Sequence, residues 1–174
     1  MIIAVDGPTA SGKGTIAKAL AACTFPEGLL LDPELRSEAV GGFASRVSVH
    51  HSVREALFER QRAFATQPGG AVLDGRDIGT VIAPDADVKL YITASLQARA
   101  ERRWREMHAR GDQRSLEEIT ADLRRRDERD RTRAEAPLRQ AEDAIVLDTS
   151  GMTIEEATAA ALAAVKAASH ANRP

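Results

Sequence analysis

Apolar residues along the chain fall into four short runs, separated by longer stretches in which they recur every three or four positions. The runs are Ile2 to Val5, Ala71 to Leu73, Val88 to Ile92 and Ala144 to Leu147, and their brevity and β-branched content predict buried strands. The intervening stretches predict helices. Thr15 to Ala22 places Ile16, Ala17 and Leu20 on one side, and Ser52 to Phe64 places Val53, Ala56, Leu57, Arg60 and Phe64 at helical spacing. Thr153 to Ala168 turns Ile154, Ala157, Ala161, Leu162 and Val165 inward, with Ser169 to Pro174 expected to fray. Ser95 suits the N-cap of a helix running to Met107 or so, and Ser115-Leu116-Glu117-Glu118 has the capping-box spacing that opens another. Strands alternating with helices argue for an α/β fold of three layers, a central parallel sheet with helices on both faces.

Size and charge narrow the picture. A chain of 174 residues suits a single domain, 1–174, able to bury a real core. A net charge of −2 and a pI near 6.1 exclude the molecule as a whole from binding polyanions. The charge is uneven: Arg99 through Arg139 holds thirteen arginines against ten acids, which leaves the rest distinctly acidic. Few aromatics and interleaved acids speak against nucleic-acid binding by that stretch. Cys23 is the single cysteine, so no internal disulfide is available and a reducing compartment is expected. No apolar run approaches the roughly 18 residues of a membrane span and no charged leader precedes the first strand, so a soluble cytoplasmic protein is expected, with no membrane partner. No apolar stripe is left over once the helices are assigned to the sheet, from which a monomer is expected.

Candidate chemistry begins where the first strand ends. Gly7-Pro8-Thr9-Ala10-Ser11-Gly12-Lys13-Gly14-Thr15 satisfies the G-x-x-x-x-G-K spacing between a strand and a helix. Glycines let successive backbone amides turn inward, the helix aims its positive end at the same spot, and Lys13 adds a full charge for the β- and γ-phosphates. ATP is therefore the expected ligand. Gly14 stands where Ser or Thr usually follows the lysine, with Thr15 one later, so a hydroxyl contact to Mg2+ through Thr15 is the weaker part of the motif. A plain glycine-rich turn would not need the lysine.

Two further clusters carry charge. Ala71 to Leu73 runs into Asp74-Gly75-Arg76-Asp77-Ile78-Gly79-Thr80, where a strand end in a parallel sheet meets ligand. Asp74 holds a place from which a carboxylate reaches Mg2+ through water, while Arg76 and Asp77 reach a second substrate; the bland alternative is a salt-bridged turn. If Arg124 to Arg133 is helical, Arg126, Asp130 and Arg133 share one face, as do Arg129 and Arg133. Guanidinium groups gathered in that way suit an anion between them, and an arginine-bearing lid would stabilise a phosphoryl group in transfer while excluding water. The rival is a solvated helix laced with ion pairs. His50 and His51 lie at no metal-ligand spacing with Cys or carboxylates.

Taken together, Asp6-Gly7-Pro8 through Thr15, Arg36-Ser37-Glu38 through Arg62, Asp74 through Thr80, and Arg126 through Arg133 followed by Ala136-Pro137-Leu138 resemble the bacterial cytidylate kinases, P-loop proteins of the nucleoside monophosphate kinase group. The resemblance implies a three-layer P-loop kinase fold and transfer of the γ-phosphoryl group of ATP to CMP or dCMP. It also implies roles: Ser45, Arg54 and Asp77 match positions that recognise cytosine, Arg76 and Arg133 match phosphate ligands, and Arg126 and Asp130 match residues that contact the sugar or stabilise transfer. One departure stands out. The family carries a second strand and an Asp-Thr-Gly-x-x-Tyr-Arg segment soon after the first helix, whose arginine binds the acceptor phosphate. By motif spacing, about fifty residues are missing around Ala21 to Cys23, a deficit judged against the size of one domain. Asp32 is followed by Pro33 and Glu34, so that motif is not carried onto it. The region near 21–50 therefore reads either as a shortened, inactive variant or as two stretches joined across a gap, and an intact mass well above 18.7 kDa would mark the second. Two rivals share the loop: a kinase of a small non-nucleotide acceptor such as shikimate, and a nucleotide-binding module without catalysis.

Overall fold

A computed structural model describes residues 1–22 and 50–171 of the chain. Four strands, β1 (Ile2–Asp6), β2 (Ala71–Gly75), β3 (Val88–Thr93) and β4 (Ile145–Asp148), form one parallel sheet in the order β2-β1-β3-β4. Among the described residues five helices accompany them: α1 (Lys13–Ala22), α2 (His51–Ala65), α3 (Leu96–His108), α4 (Leu116–Thr132) and α5 (Ile154–Ala171). A short π-helical turn covers Ile78–Ile82. From β1 the chain crosses to β2 on one side and then returns to β3 on the other, so β1 ends at the switch point where parallel sheets open a crevice. Asp6 lies in register with Gly75 and Tyr91, which brings the carboxyl ends of three strands level.

Alternation along the strands divides the core in two. Ile3, Val5, Leu90 and Ile92 face Ile16 and Leu20 of α1 and Ala157, Ala161 and Val165 of α5. Leu90 and Ile92 are fully enclosed, each adding about 1.5–3 kcal/mol of hydrophobic stabilisation. Ala4, Ala71 and Leu73 pack instead with Ala65 of α2 and with Ile78 and Ile82 of the π-helical turn. The α3–α4 pair has its own small core of Ala100, Met107, Ile119 and Leu123. Its helix starts follow the caps read from sequence: Ser95 Oγ accepts from the Ala98 amide, and Ser115 with Glu118 forms a complete capping box.

Several expectations need correction. β4 is one residue later than the Ala144 to Leu147 run and is not buried, because it closes the sheet edge with Ile145 and Val146 exposed. Ile154 stands at the first turn of α5, beyond the reach of the sheet, and is 65% exposed. That helix runs to Ala171, and 172–174 lie outside the described residues. In α2 only Ala65 is buried; Leu57, Phe58 and Phe64 are exposed among the described residues, so the premise of no leftover apolar stripe does not hold there. No helix among the described residues is long and apolar enough to cross a membrane.

Candidate active site

The loop after β1 is shaped by positions that tolerate little else. A Cβ on Gly7 would sit 2.0 Å from the carbonyl oxygen of Ile92, so only glycine lets the chain leave β1 against β3. Gly12 has φ +94, and its carbonyl then accepts from the amides of Thr15 and Ile16 as α1 begins. The amino group of Lys13 donates to the Pro8 carbonyl at 3.1 Å. Among the described residues no carboxylate reaches salt-bridge distance of that amino group. Burial, reinforced by Arg76 and Arg126 and opposed by Asp74 and Asp130, lowers the Lys13 pKa to about 7. Those four neighbours show that the structure brings three sequence-predicted clusters to one place. Asp74, exposed at the end of β2, has a carboxylate oxygen 3.5 Å from where a Cβ on Gly14 would lie, and Thr15 is exposed in the first turn of α1.

Beside the loop opens a cleft of about 800 Å³. Arg54, Arg76, Asp77, Arg126, Asp130 and Arg133 line its polar side, and Val53, Leu57, Phe58 and Ile82 its apolar side. Three of the guanidinium groups are held by carboxylates: Arg54 pairs with Asp77, Arg76 Nε donates to Asp130 at 3.1 Å, and Arg133 lies 3.6 Å from Asp77. Arg76 also donates to the Thr9 hydroxyl at 2.7 Å, which ties the cleft to the phosphate loop. Burial lowers the pKa of Arg133, with Asp77 opposing. The single helical face expected of Arg126, Asp130 and Arg133 is corrected here. Helix α4 stops at Thr132, and Arg133 caps it in an extended conformation, φ −58 and ψ 140, with its Nε donating to the Ala136 carbonyl. The arginine still reaches the cleft. Ser45 lies outside the described residues, as do Asp32 and Cys23.

Three supports went unread in the sequence. Asp6, buried at the end of β1, accepts from the amides of Ile78 at 2.9 Å and Gly79 at 2.7 Å, fixing the turn that follows Arg76 and Asp77. Burial raises its pKa against the pull of those amides. Thr149 donates to the Ser11 carbonyl at 2.9 Å from beneath the loop and accepts from Arg102 at 3.0 Å. Arg99 and Asp127 form a buried two-bond pair at 3.0 and 2.7 Å. Asp6 carried a signal, since it heads the loop motif; the pair of Arg99 and Asp127, 28 positions apart, carried none.

Comparison with known proteins gives the chain a lineage. A sequence model of the family described as cytidylate kinase matches residues 23–167. A protein of Caulobacter sp. strain K31 named cytidylate kinase is 48% identical over 204 aligned positions, covering 96% of this chain and 94% of its own length. One from Xanthobacter autotrophicus strain Py2, with the same name, is 48% identical over 203 positions, covering 96% and 98%. Because 204 positions exceed the 174 residues of the chain by thirty, the Caulobacter protein carries at least thirty residues without a counterpart here. A crystal structure of an uncharacterized protein from Eubacterium ventriosum shares the fold, with a TM-score of 0.62 at 15% identity over 99% of both chains.

Proposed function

Because the chain belongs to the cytidylate kinase family, we propose that it transfers the γ-phosphoryl group of ATP to the phosphate of CMP or dCMP, giving ADP and CDP or dCDP. The observation that carries this reading is the meeting of Lys13, Arg76, Arg126 and Asp130 where the phosphate loop borders the cleft. The acceptor oxygen is already anionic near neutral pH, so the reaction needs in-line positioning and charge neutralisation more than a general base. The loop from Gly7 to Thr15 seats the ATP phosphates on its amides and Lys13, while Arg76, Arg126 and Arg133 offset the repulsion between donor and acceptor. Asp74 fits the magnesium ion that accompanies ATP: its exposed carboxylate stands beside Gly14, where it would hold the ion through water, with Thr15 as the neighbouring hydroxyl. Bound to ATP, the ion supplies further charge neutralisation at the phosphates.

Base choice falls to Asp77 and Arg54, together with Ser45. Cytosine offers an exocyclic amine beside two acceptors, which complements a carboxylate beside a guanidinium. Uracil puts an oxygen where that amine would be and so faces the carboxylate of Asp77. A coupled assay with CMP, dCMP, UMP and AMP tests the assignment. The expected order places CMP and dCMP first, and equal kcat/KM for CMP and AMP would overturn it.

The length deficit against the relatives supports a second reading, in which the acceptor region near 21–50 is shortened and the chain binds nucleotide without catalysis. The family match that begins at residue 23, at the end of α1, supports the same place for the deficit. ATP binding by calorimetry with no CDP formed would favour this reading over phosphotransfer.

A further inference from the structure

The tip of the phosphate loop touches the α3–α4 pair in three ways. Arg99 of α3 donates to the Thr9 carbonyl at 3.2 Å, and Arg76, held by Asp130 of α4, donates to the Thr9 hydroxyl. The methyl of Ala10 packs against the cluster of Ala100, Met107, Ile119 and Leu123. Ala10 does so at φ +61, a left-handed conformation that favours glycine, so the contact offsets strain. Behind these contacts, Arg99 and Asp127 are 4% and 5% exposed and joined by both prongs of the guanidinium. The Nε of Arg99 donates to the Ala94 carbonyl just beyond β3 at 3.0 Å, so the same side chain also anchors to the sheet.

Asp127 follows Arg126 and lies one turn before Asp130, so its partner sets how far α4 is rotated where those two residues enter the cleft. We infer that Arg99 and Asp127 are positioning residues whose buried fork holds the donor loop in register with the part of α4 that presents Arg126 and Asp130. This deepens the phosphotransfer reading and rests on it. Neither side chain lines the cleft, so both act through others. A two-bond fork fixes orientation as well as distance, and displacing reacting groups by about 1 Å costs on the order of a hundredfold in rate.

The test uses Arg99→Lys, Asp127→Asn and Ala10→Gly, with steady-state kinetics and amide hydrogen exchange of the ATP-free protein. The first two are expected to lower kcat by about 10–100-fold while KM for ATP and CMP stays within about threefold. Amides of residues 9–12 should exchange at least about tenfold faster, with those of β3 unchanged. Ala10→Gly leaves the ion pair intact and escapes the folding penalty of an orphaned buried charge; it gives up the methyl contact while glycine suits φ +61, so it should loosen the loop less than either fork variant, with a loss in kcat of about threefold. Unchanged loop exchange in folded variants overturns the inference, whatever kcat does. So does exchange that rises equally in β3, which would mark general destabilisation. Should the native protein form no CDP, the phosphotransfer reading fails by itself, and loop exchange still decides this inference.

Discussion

The two halves of the site store positive charge differently. On the donor side, the Lys13 ammonium is buried against a carbonyl, with no carboxylate at bonding distance among the described residues, and its pKa falls to about 7. On the acceptor side, Arg54, Arg76 and Arg133 each rest on Asp77 or Asp130. The contrast follows from the two cations. A guanidinium keeps its proton at any ordinary pH and needs an anion while the cleft is empty, whereas a buried ammonium can shed its proton until a phosphate arrives. Under the proposed phosphotransfer, ATP would bring its binding charge into being, and CMP would have to take its guanidinium groups from carboxylates that already hold them.

Lys13→Ala would break the contrast most severely. Turnover is expected to fall about a thousandfold, the scale seen when one preorganised charge donor is lost, while the melting temperature stays level or rises because an ammonium is no longer buried. A folded variant within about tenfold of native turnover would remove Lys13 from the chemistry. Next comes Arg76→Lys, which keeps the charge but cannot bond Thr9 and Asp130 and also hold a phosphate. We expect kcat/KM for CMP to drop about a hundredfold with KM for ATP little changed, and an equal loss on both substrates would blur the two halves. Asp77→Asn should lower the preference for CMP over UMP about tenfold in competition assays, and an unaltered ratio would move base choice elsewhere.

The smallest effect sharpens the donor half alone. With its pKa lowered to about 7, Lys13 gives up charge as pH rises above neutrality, and a bound triphosphate favours its return, so ATP binding at pH 8 should take up protons, up to about one. Calorimetry in two buffers of different ionisation enthalpy reads that number, and Lys13→Ala should abolish it. The folding sign agrees: between about pH 7 and the ordinary lysine value of 10.5 the unfolded chain holds more protons, so this group's contribution to stability rises with pH.

Local signals were legible where local physics decides the outcome. β1 and β3 read clearly because the face packed against α1 and α5 is apolar throughout, and the caps at Ser95 and Ser115 read clearly because they bond within three residues. β4 misled because an apolar run cannot say that its strand lies at a sheet edge. The stripe of α2 misled in the same way: helical spacing of Leu57 and Phe64 records a face but not what covers it. In the arginine-rich helix, spacing grouped Arg126 with Asp130 and Arg133, yet Arg133 arrives from a non-helical cap. Asp127 stands among the interleaved acids of a charged run, yet it pairs with Arg99 on another helix, a contact that only tertiary packing creates.

Asp6 has a consequence for how this chain tolerates change. Its carboxylate joins the strand that leads into the Gly7–Thr15 loop to the turn that follows Arg76 and Asp77, and both ends of that bridge lie outside 23–49. Lengthening or trimming the connection between α1 and α2 thus leaves the bridge standing, and such edits should alter which nucleotide is accepted before they disturb the reaction centre itself.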